Sequence, residues 1–407
     1  MTGVPLRTAG TDGGQPVVDA LVLEAPRALR RHALPLPAVG DDDGILRVEA
    51  CGLCGTDHEL YTGAITPGFA FVPGHEAVGV IEAVGDRAAE RWGVTAGDRV
   101  AVEVFQSCRS CEPCRRGEYR RCERHGLADM YGMISADTPP GLWGGYATHQ
   151  YLAPDSMLLP VPGSLASEVA VAFNPLGAGI RWGVTIPGTK AGDVVAVLGC
   201  GIRGLSVAAA AKEAGAGFVM ITGAGERDHP RLEQARRFGA DLAVDVRAED
   251  PVARLRAEAN VAGADVVVDV TAKAPDAFAQ GVALARSGGT MVVAGTRGGG
   301  GTPGFDPDHV VYKELRLLGA LGVDTADYRA ALDLLARGTY PFAGLPRRTV
   351  GLDGTAELLE TMAGERGVPP VHAVLVPSGA ASIHRRYQVP PDPGRARPRP
   401  HPPGSVT

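Results

Sequence analysis

The segment Gly199-Cys200-Gly201-Ile202-Arg203-Gly204 constrains the fold of this chain more than any other stretch. It follows an apolar, β-branched run, VVAVL, and it opens an Ala-rich helical segment, LSVAAAAKEAG. In a strand–turn–helix context, its three glycines allow a tight turn, a close approach of the backbone to a pyrophosphate, and close packing of the helix on the strand. The segment therefore predicts a dinucleotide-binding unit in which a helix N-terminus faces the phosphates.

Strand-like and helix-like segments alternate over residues 175–320, which predicts a Rossmann-type parallel sheet. The next strand, GFVMITG, ends at Gly223, where an acidic residue would favour NAD. Arg227 or Arg231 could pair with a 2′-phosphate, so we expect a modest preference for NADP, although Glu226 could still reach the ribose. The predicted cofactor-binding residues are Gly199, Gly201, Ile202, Gly204, Gly223, Arg227, Arg231, Thr271 and Gly295.

The other half of the chain has a different pattern. Residues 17–174 contain short β-branched runs separated by Gly and Asp, which predict an antiparallel, barrel-like β domain. Residues 321–377 are expected to return to that domain. Residues 1–16 are polar and are expected to form a loose tail. The stretch 378–407 is rich in Pro and Arg and is expected to be disordered, because it cannot bury apolar surface.

The composition of the chain restricts the classes of molecule that it could bind. The 407 residues carry a net charge of −6, which argues against a nucleic-acid binder. No segment reaches the roughly 20 apolar residues that cross a bilayer. The N-terminus shows no signal-peptide pattern. We therefore expect a cytoplasmic protein that acts on a small molecule, without a nucleic-acid or membrane partner.

Four cysteines lie within fifteen residues, in the pattern Cys108-x2-Cys111-x2-Cys114-x7-Cys122. Four thiolates can complete a tetrahedral shell with no open position, which is typical of structural zinc. A nucleic-acid-binding knuckle is the alternative. It is disfavoured because four-cysteine ribbons usually pair two CxxC units across a longer gap.

A second, dispersed group lies upstream. Cys54, Thr56 and Asp57 occur in CGLCGTDHEL, and His75 and Glu76 occur in PGHEAVGVIEAVG. A thiolate, an imidazole and a carboxylate are suitable ligands for an open catalytic zinc, and a nearby Asp can orient a ligating His. Taken singly, Cys54 could be a small buried residue and His75 a turn residue. Their conjunction favours the metal site.

With these motifs in view, residues 17–377 resemble a zinc-containing medium-chain alcohol/polyol dehydrogenase, in the branch of threonine, sorbitol and glucose dehydrogenases. The resemblance implies a GroES-like catalytic domain over 17–174 with a structural zinc lobe at 105–125. It implies two zinc ions per chain and an NAD(P) cofactor. Cys54 and His75 would bind the catalytic zinc, and Glu76 would bind it or sit just behind it. Thr56 would hydrogen-bond the substrate oxygen, and Cys108, Cys111, Cys114 and Cys122 would bind the structural zinc. A homodimer or homotetramer is expected.

The sequence departs from this branch at two positions. The branch carries Glu-Pro-Leu where this chain has Asn174-Pro175-Leu176, and an amide is a weaker metal ligand than a carboxylate. Asn174 is therefore only a candidate fourth ligand, which could instead orient a zinc-bound water. The family's relay histidine corresponds to Glu59, with His58 one residue earlier, so both are candidates for carrying the proton away.

The predicted function is zinc-assisted hydride transfer between a secondary alcohol, polyol- or sugar-like, and NAD(P). One alternative is a zinc-independent NADPH reductase of activated double bonds. The other is a non-enzymatic protein that binds zinc and a nucleotide. The substrate pocket draws on loops 58–70, 125–146 and 309–323, in which Tyr131, Met133 and Trp143 either line the pocket or pack as core.

Overall fold

The computed structural model describes residues 11–12, 15–272, 274–297, 301–302 and 305–377. The tail predicted for 378–407 lies outside the described residues, as does most of the tail predicted for 1–16. Within the described ranges, none of the helices has the length and apolar character that a membrane span requires.

The first half of the chain is built mainly of antiparallel strands. Its central strand is β4 (Gly44–Leu53), which pairs with β5 (Ala77–Val84) on one side and with the last strand of the chain on the other. Leu46, Val48 and Ala50 of β4 are fully buried. The elements are β1 (Thr11–Asp12), β2 (Gln15–Ala25), β3 (Ala28–Pro35), β4 (Gly44–Leu53), α1 (Gly55–Thr62), β5 (Ala77–Val84), α2 (Asp86–Trp92), β6 (Arg99–Val102), α3 (Glu112–Arg115), β7 (His149–Leu152), β8 (Leu158–Pro160) and α4 (Ser167–Ala170).

The second half alternates strands and helices. The inner strand β9 (Val194–Leu198) is short and continuously apolar, because a parallel sheet is covered on both faces; all five of its residues are buried. The elements are α5 (Phe173–Ile180), β9 (Val194–Leu198), α6 (Ile202–Glu213), β10 (Phe218–Gly223), α7 (His229–Ala235), β11 (Leu242–Asp245), α8 (Pro251–Ala259), β12 (Ala264–Asp269), α9 (Ala277–Leu284), β13 (Ala285–Val293), α10 (Asp308–Tyr312) and β14 (Arg316–Gly319).

The six strands of this second sheet are all parallel, in the order β11-β10-β9-β12-β13-β14. The chain starts in the middle of the sheet, runs to one edge and then to the other, so the direction of winding reverses between β9 and β12. Ligands bind outside the carboxyl ends of the strands at such a switch point. The predicted fold class, a Rossmann-type sheet with a β domain, is confirmed.

The last described segment comprises α11 (Thr325–Arg337), β15 (Arg347–Val350), α12 (Thr355–Met362) and β16 (His372–Leu375). Strand β16 pairs antiparallel with β4, with Leu375 opposite Cys51. One hydrophobic cluster contains Ala50 and Val78 of the β sheet together with Phe173 and Leu176 of α5. The two halves therefore share a core, and a cavity lies between them.

Candidate metal and cofactor site

A cavity of about 270 Å³ separates the β domain from the carboxyl edge of the parallel sheet. From the first half of the chain, the cavity is lined by Thr56, Glu59 and His75. From the second half, it is lined by Asn174 on α5 and Arg203 on α6. A longer groove of about 610 Å³ runs along the ends of β9, β10 and β12. Val270 and Ala272 line both spaces. A dinucleotide in the groove would therefore reach the cavity.

Cys54, His75 and Glu76 lie together at the wall of the cavity. One ligand atom from each lies within 4.8 Å of the others. The Cys54 Sγ is 3.3 Å from the His75 Nε2. Asp57, one turn into α1, accepts a hydrogen bond from the Cys54 backbone N–H at 2.8 Å. Its other oxygen is 3.7 Å from the His75 Nδ1, beyond hydrogen-bond distance but near enough to attract an Nδ1–H and so favour the ring orientation with Nε2 toward Cys54.

The chemistry of this cluster fits a zinc ion. Glu76 is 2% exposed, and its Oε1 has no hydrogen-bond partner among the described residues. Burial raises the pKa of the Cys54 thiol well above its usual value and raises the pKa of Glu76 to about 7. Two buried acids need positive charge close to them in order to ionise, and a bound metal ion would supply it in addition to Arg203. A sulfur, a nitrogen and an oxygen at this spacing are the donors that an open zinc site uses.

The four lobe cysteines also converge. Their sulfur atoms all lie within 4.8 Å of one another, and the Cys108 and Cys114 sulfurs are 3.8 Å apart. Zinc–sulfur bonds of about 2.3 Å in a tetrahedron place sulfurs about 3.8 Å apart. The Ser110 hydroxyl and the Cys111 backbone N–H donate to the Cys108 Sγ and lower its pKa to about 5. The lobe therefore fits a closed structural zinc site.

The glycine-rich turn has the shape that a pyrophosphate requires. A Cβ at Gly204 would lie 1.8 Å from the Gly199 carbonyl oxygen, so only glycine lets α6 pack on β9. A Cβ at Gly201 would meet nothing within 4 Å, which leaves open space before the helix N-terminus. Gly199, Gly201, Gly223 and Thr271 line the groove. Ile202 packs against the hydrophobic core, and Gly295 lines the cavity.

Asp228 places a carboxylate at the end of β10, where the strand sequence itself has none. Asp228 lines the groove, and its Cβ would be 3.0 Å from a Cβ at Gly223. It accepts the Ala224 backbone N–H at 3.0 Å and pairs with Arg231 at 3.0 Å. Arg227 and Arg247 line the same groove. A helical turn after the strand brings Asp228 back to the strand end, so the strand sequence alone could not reveal it.

Asn174 and Arg203 both line the cavity, and each is held by an aromatic residue. The Asn174 amide nitrogen donates to the Tyr328 hydroxyl at 3.0 Å, which holds the side chain on α5 against α11. The Arg203 guanidinium lies 5.5 Å from the centre of the Trp182 ring. The glycine motif gives no signal for Arg203, because the residue lies at a position that the motif leaves unspecified.

The two candidate relay residues point in different directions. Glu59 lines the cavity, one helical turn after Thr56. His58 Nε2 instead lies 2.8 Å from Glu365, near the molecular surface. Arg27 and His58 hold the pKa of Glu365 at about 2, so that carboxylate is ionised and retains His58. Three residues were candidates for lining the substrate pocket. Tyr131 and Met133 do line the cavity, whereas Trp143 packs against the Tyr151 ring, with the ring centres 5.0 Å apart.

A buried acid, Glu103, lies between β6 and the cysteine lobe. It is fully buried, and it receives hydrogen bonds from the Tyr119 hydroxyl at 2.9 Å and the Phe105 backbone N–H at 3.3 Å. Burial raises its pKa to about 8, although these donors and Arg120 oppose the rise. Glu103 is therefore largely protonated in the folded protein at neutral pH.

This shift predicts a pH dependence of stability. The folded state holds the Glu103 proton up to about pH 8, whereas an unfolded chain releases it near its ordinary pKa of 4.5. Folding therefore takes up a proton between these values, and the free energy of unfolding should fall as the pH rises through this window. A shift of this size corresponds to roughly 5 kcal/mol. Denaturant unfolding of the wild type and of Glu103→Gln from pH 5 to pH 9 measures it: the free energy of unfolding of the wild type minus that of the variant should fall steadily up to about pH 8. A difference that does not change with pH would contradict the shift.

Comparison with protein families gives two matches. The family described as "Alcohol dehydrogenase GroES-like domain" matches residues 40–163. The family described as "Zinc-binding dehydrogenase" matches residues 204–337. Together these matches cover the β domain with its cysteine motifs and most of the parallel sheet.

Relatives of known description agree with these matches. A probable alcohol dehydrogenase of Mycobacterium tuberculosis (strain H37Rv) is 72% identical over 363 residues, covering 89% of this chain and 99% of the relative. A probable D-xylulose reductase A of Neosartorya fischeri is 32% identical over 327 residues, covering 78% of this chain and 86% of the relative.

Solved structures show the same fold. A protein from Sinorhizobium meliloti 1021, described as a zinc-binding dehydrogenase bound to NADP, is 27% identical with a TM-score of 0.74, covering 89% of this chain and 100% of that chain. The alcohol dehydrogenase of Thermus sp. ATN1 is 27% identical with a TM-score of 0.74, covering 88% of this chain and 99% of that chain.

Proposed function

The chain belongs to the zinc-binding medium-chain alcohol dehydrogenases, and from that premise we propose that it oxidises a secondary alcohol of the polyol or sugar class in this cavity. The observation that carries the proposal is the cluster of Cys54, His75 and Glu76, which lies at a cavity that meets the nucleotide groove. Relatives described as a sorbitol dehydrogenase and as xylulose reductases support the polyol class.

The residues have separate roles in this proposal. Cys54, His75 and Glu76 hold the catalytic zinc, Asp57 orients His75, and Asn174 remains bound to Tyr328 rather than to the metal. When bound, zinc supplies a Lewis acid for the alcohol oxygen and the nicotinamide supplies the hydride acceptor. The groove residues orient the cofactor so that its nicotinamide end enters the cavity.

The proton leaves through α1. The Thr56 hydroxyl lines the cavity and accepts the alcohol proton as part of a hydrogen-bonded relay. Glu59 lies on the same face of the helix, and its carboxylate has no hydrogen-bond partner within the described part of the chain, so it is free to accept the proton from Thr56. His58 is held by Glu365 and has a poorer position for this step.

A substrate panel tests the proposed function. The purified protein is assayed with secondary polyols, primary alcohols and an α,β-unsaturated ketone, each with NAD(H) and NADP(H), by nicotinamide absorbance. We expect oxidation of secondary polyols. Thr56→Val should lower kcat by about 10²-fold, because it removes a proton-transfer group but keeps the shape, and Thr56→Ser should stay close to the wild type. Reduction of the unsaturated ketone alone would favour the double-bond reductase instead.

We further propose that NADP is used at least as well as NAD. Asp228 is already paired with Arg231, whereas Arg247 is exposed and reaches the groove without a hydrogen-bonded partner for its guanidinium among the described residues. Arg227 also lines the groove, where its guanidinium donates to the Met362 carbonyl oxygen at 3.4 Å. A 2′-phosphate between Arg227 and Arg247 would meet two positive charges and one neutralised carboxylate.

Arg247→Ala tests this preference. The variant should raise the KM for NADP about tenfold or more, since hydrogen bonds to charged groups contribute about 1.5–3 kcal/mol, and it should leave the KM for NAD within twofold. Arg237→Ala, an exposed arginine outside the groove, serves as the control. Gly223→Asp is a poorer test, because its Cβ would lie 2.8 Å from the Cys200 Sγ. A wild-type enzyme that strongly prefers NAD would contradict the proposal.

We also propose that two copies associate through β14. This strand lies at the edge of the parallel sheet, and its residue Leu317 is 38% exposed. Val311 and Tyr312 of α10 are 68% and 78% exposed. An edge strand with apolar neighbours is a template for pairing. Light scattering should give about twice the chain mass of 42.1 kDa. Leu317→Arg should shift the protein toward the monomer, whereas Leu127→Arg, on another surface, should not; a monomeric wild type would contradict the interface.

The cytoplasmic location of the protein stays a prediction.

A further inference from the structure

One wall of the cavity is a short loop between β14 and α11. Ala320, Leu321, Gly322 and Val323 line the cavity, and none of them belongs to a helix or a strand. Gly322 has a positive φ of 62°. A segment whose backbone is not hydrogen-bonded in a helix or a sheet takes its shape from the groups that pack against it. The contacts of this loop therefore decide the shape of the cavity.

The cysteine lobe provides several of these contacts. The Tyr119 hydroxyl shares its proton between Glu103 at 2.9 Å and the Val323 carbonyl oxygen at 3.2 Å, and it accepts from the Thr325 hydroxyl at 3.2 Å. The Arg120 guanidinium forms an ion pair with the Asp324 carboxylate. The Arg120 side chain is only 10% exposed. Two consecutive lobe residues thus hold the loop at three neighbouring positions.

Gly322 shows how closely the lobe and the loop approach. A Cβ at this position would lie 2.6 Å from the Phe105 ring and 2.8 Å from the Arg120 Cδ. A side chain there would therefore push the loop away from the lobe. The backbone of Gly322 packs directly against the side chains of Phe105 and Arg120. Because this packing is close, a movement of either side chain should also move the cavity wall.

Tyr119 and Arg120 occupy fixed places within the lobe. They lie on a single helical turn, Tyr119–Arg121, between Cys114 and Cys122. The Cys122 backbone N–H donates to the Tyr119 carbonyl oxygen at 2.9 Å. A closed metal site that holds Cys122 would therefore fix the turn as well. The next residue, Arg121, points outward and is 75% exposed.

The loop is also held from the other side. The Trp182 indole N–H donates to the Gly322 carbonyl oxygen at 3.0 Å, and Arg181 forms an ion pair with Asp324. Loss of the lobe contacts would therefore leave the loop attached to the helix beneath it. Such a loss should change the shape and mobility of the cavity wall without unfolding it.

We propose that the four-cysteine lobe braces the substrate cavity, with Tyr119 and Arg120 as positioning residues that hold loop 320–324 in its substrate-binding shape. The inference rests on the proposed function for its kinetic consequence only. The lobe would then do more than stabilise the fold. By holding the turn that carries Tyr119 and Arg120, its metal site would influence the affinity for the substrate from outside the cavity.

Arg120→Met tests the brace, because it keeps the length of the side chain and removes its charge. Arg121→Met is the matched control, since it removes an adjacent lobe arginine that bonds only Glu118 among the described residues. We expect Arg120→Met to raise the KM for the alcohol about tenfold or more, with kcat within threefold and zinc content unchanged. Arg120→Lys should recover part of the affinity, and Arg121→Met should match the wild type.

Hydrogen exchange gives a second readout that does not depend on activity. Amides of 320–325 should exchange faster in Arg120→Met than in the wild type or in Arg121→Met. Equal exchange in the two variants, or a KM that Arg120→Met leaves unchanged, would overturn the brace. If the wild type oxidises no alcohol at all, the proposed function fails, and the exchange experiment alone decides the brace.

Discussion

Replacing Cys54 by serine is expected to lower turnover by about three orders of magnitude, because a Lewis acid at the reacting oxygen contributes several kcal/mol to the transition state. The Cys54 Sγ lies 3.3 Å from the His75 Nε2 in the only catalytic-type cluster found within the described residues. A serine hydroxyl does not ionise near neutral pH and is a poor zinc ligand. The variant should therefore lose about one of two zinc ions.

Cys51→Ser is the matched control for this experiment. Cys51 is also buried and lies three residues earlier, but its Sγ contacts the Gly52 carbonyl oxygen and belongs to neither metal cluster. Zinc content by mass spectrometry and thermal unfolding by circular dichroism should show that both variants are folded and that only Cys54→Ser loses metal. Full activity and two zinc ions in Cys54→Ser would contradict the catalytic assignment.

Replacing Cys111 by serine should have a different result, because a closed structural site contributes directly to folding free energy. The Cys111 thiol is one of four within 4.8 Å, and its backbone N–H donates to the Cys108 Sγ at 3.3 Å. Loss of this ligand should release one zinc ion and unfold the lobe locally. Because the lobe contacts the cavity wall, affinity for the alcohol should fall as well.

The matched control in the lobe is Glu112→Gln. Glu112 is the next residue, its side chain is 71% exposed, and it pairs with Arg116 on the surface, where ion pairs contribute little. Limited proteolysis and zinc content measure both variants. We expect new cleavage within 105–125 only in Cys111→Ser. A Cys111→Ser variant that keeps both zinc ions and resists cleavage would show that the cluster holds no structural metal.

The sequence was most informative where the chemistry is local. Gly199, Gly201 and Gly204 lie within six residues, and their neighbours form a strand and a helix on either side. The four lobe cysteines lie within fifteen residues, so only short loops have to close to bring their sulfurs together. Both motifs could be interpreted without a structure, because their spacing alone restricts their geometry.

The cofactor prediction was weaker because a turn reverses the chain after β10. The strand end carries Gly223, but Asp228, five residues later, occupies the space beside it. A sequence has no direct signal for such a return. The preference between NAD and NADP depends on which of the charges of Asp228, Arg231 and Arg247 are already paired. That pairing is a property of the folded groove.

The sequence by itself determined the fold class, the zinc-type cysteine lobe and the nucleotide turn, since each depends on residues that are close together in the chain. Only the tertiary structure decided that Asn174 binds Tyr328 and that His58 binds Glu365. It also brought Arg120 of the lobe to Asp324, about two hundred residues away. These contacts join elements whose relative positions follow from the packing of one shared core, and no local pattern encodes that packing.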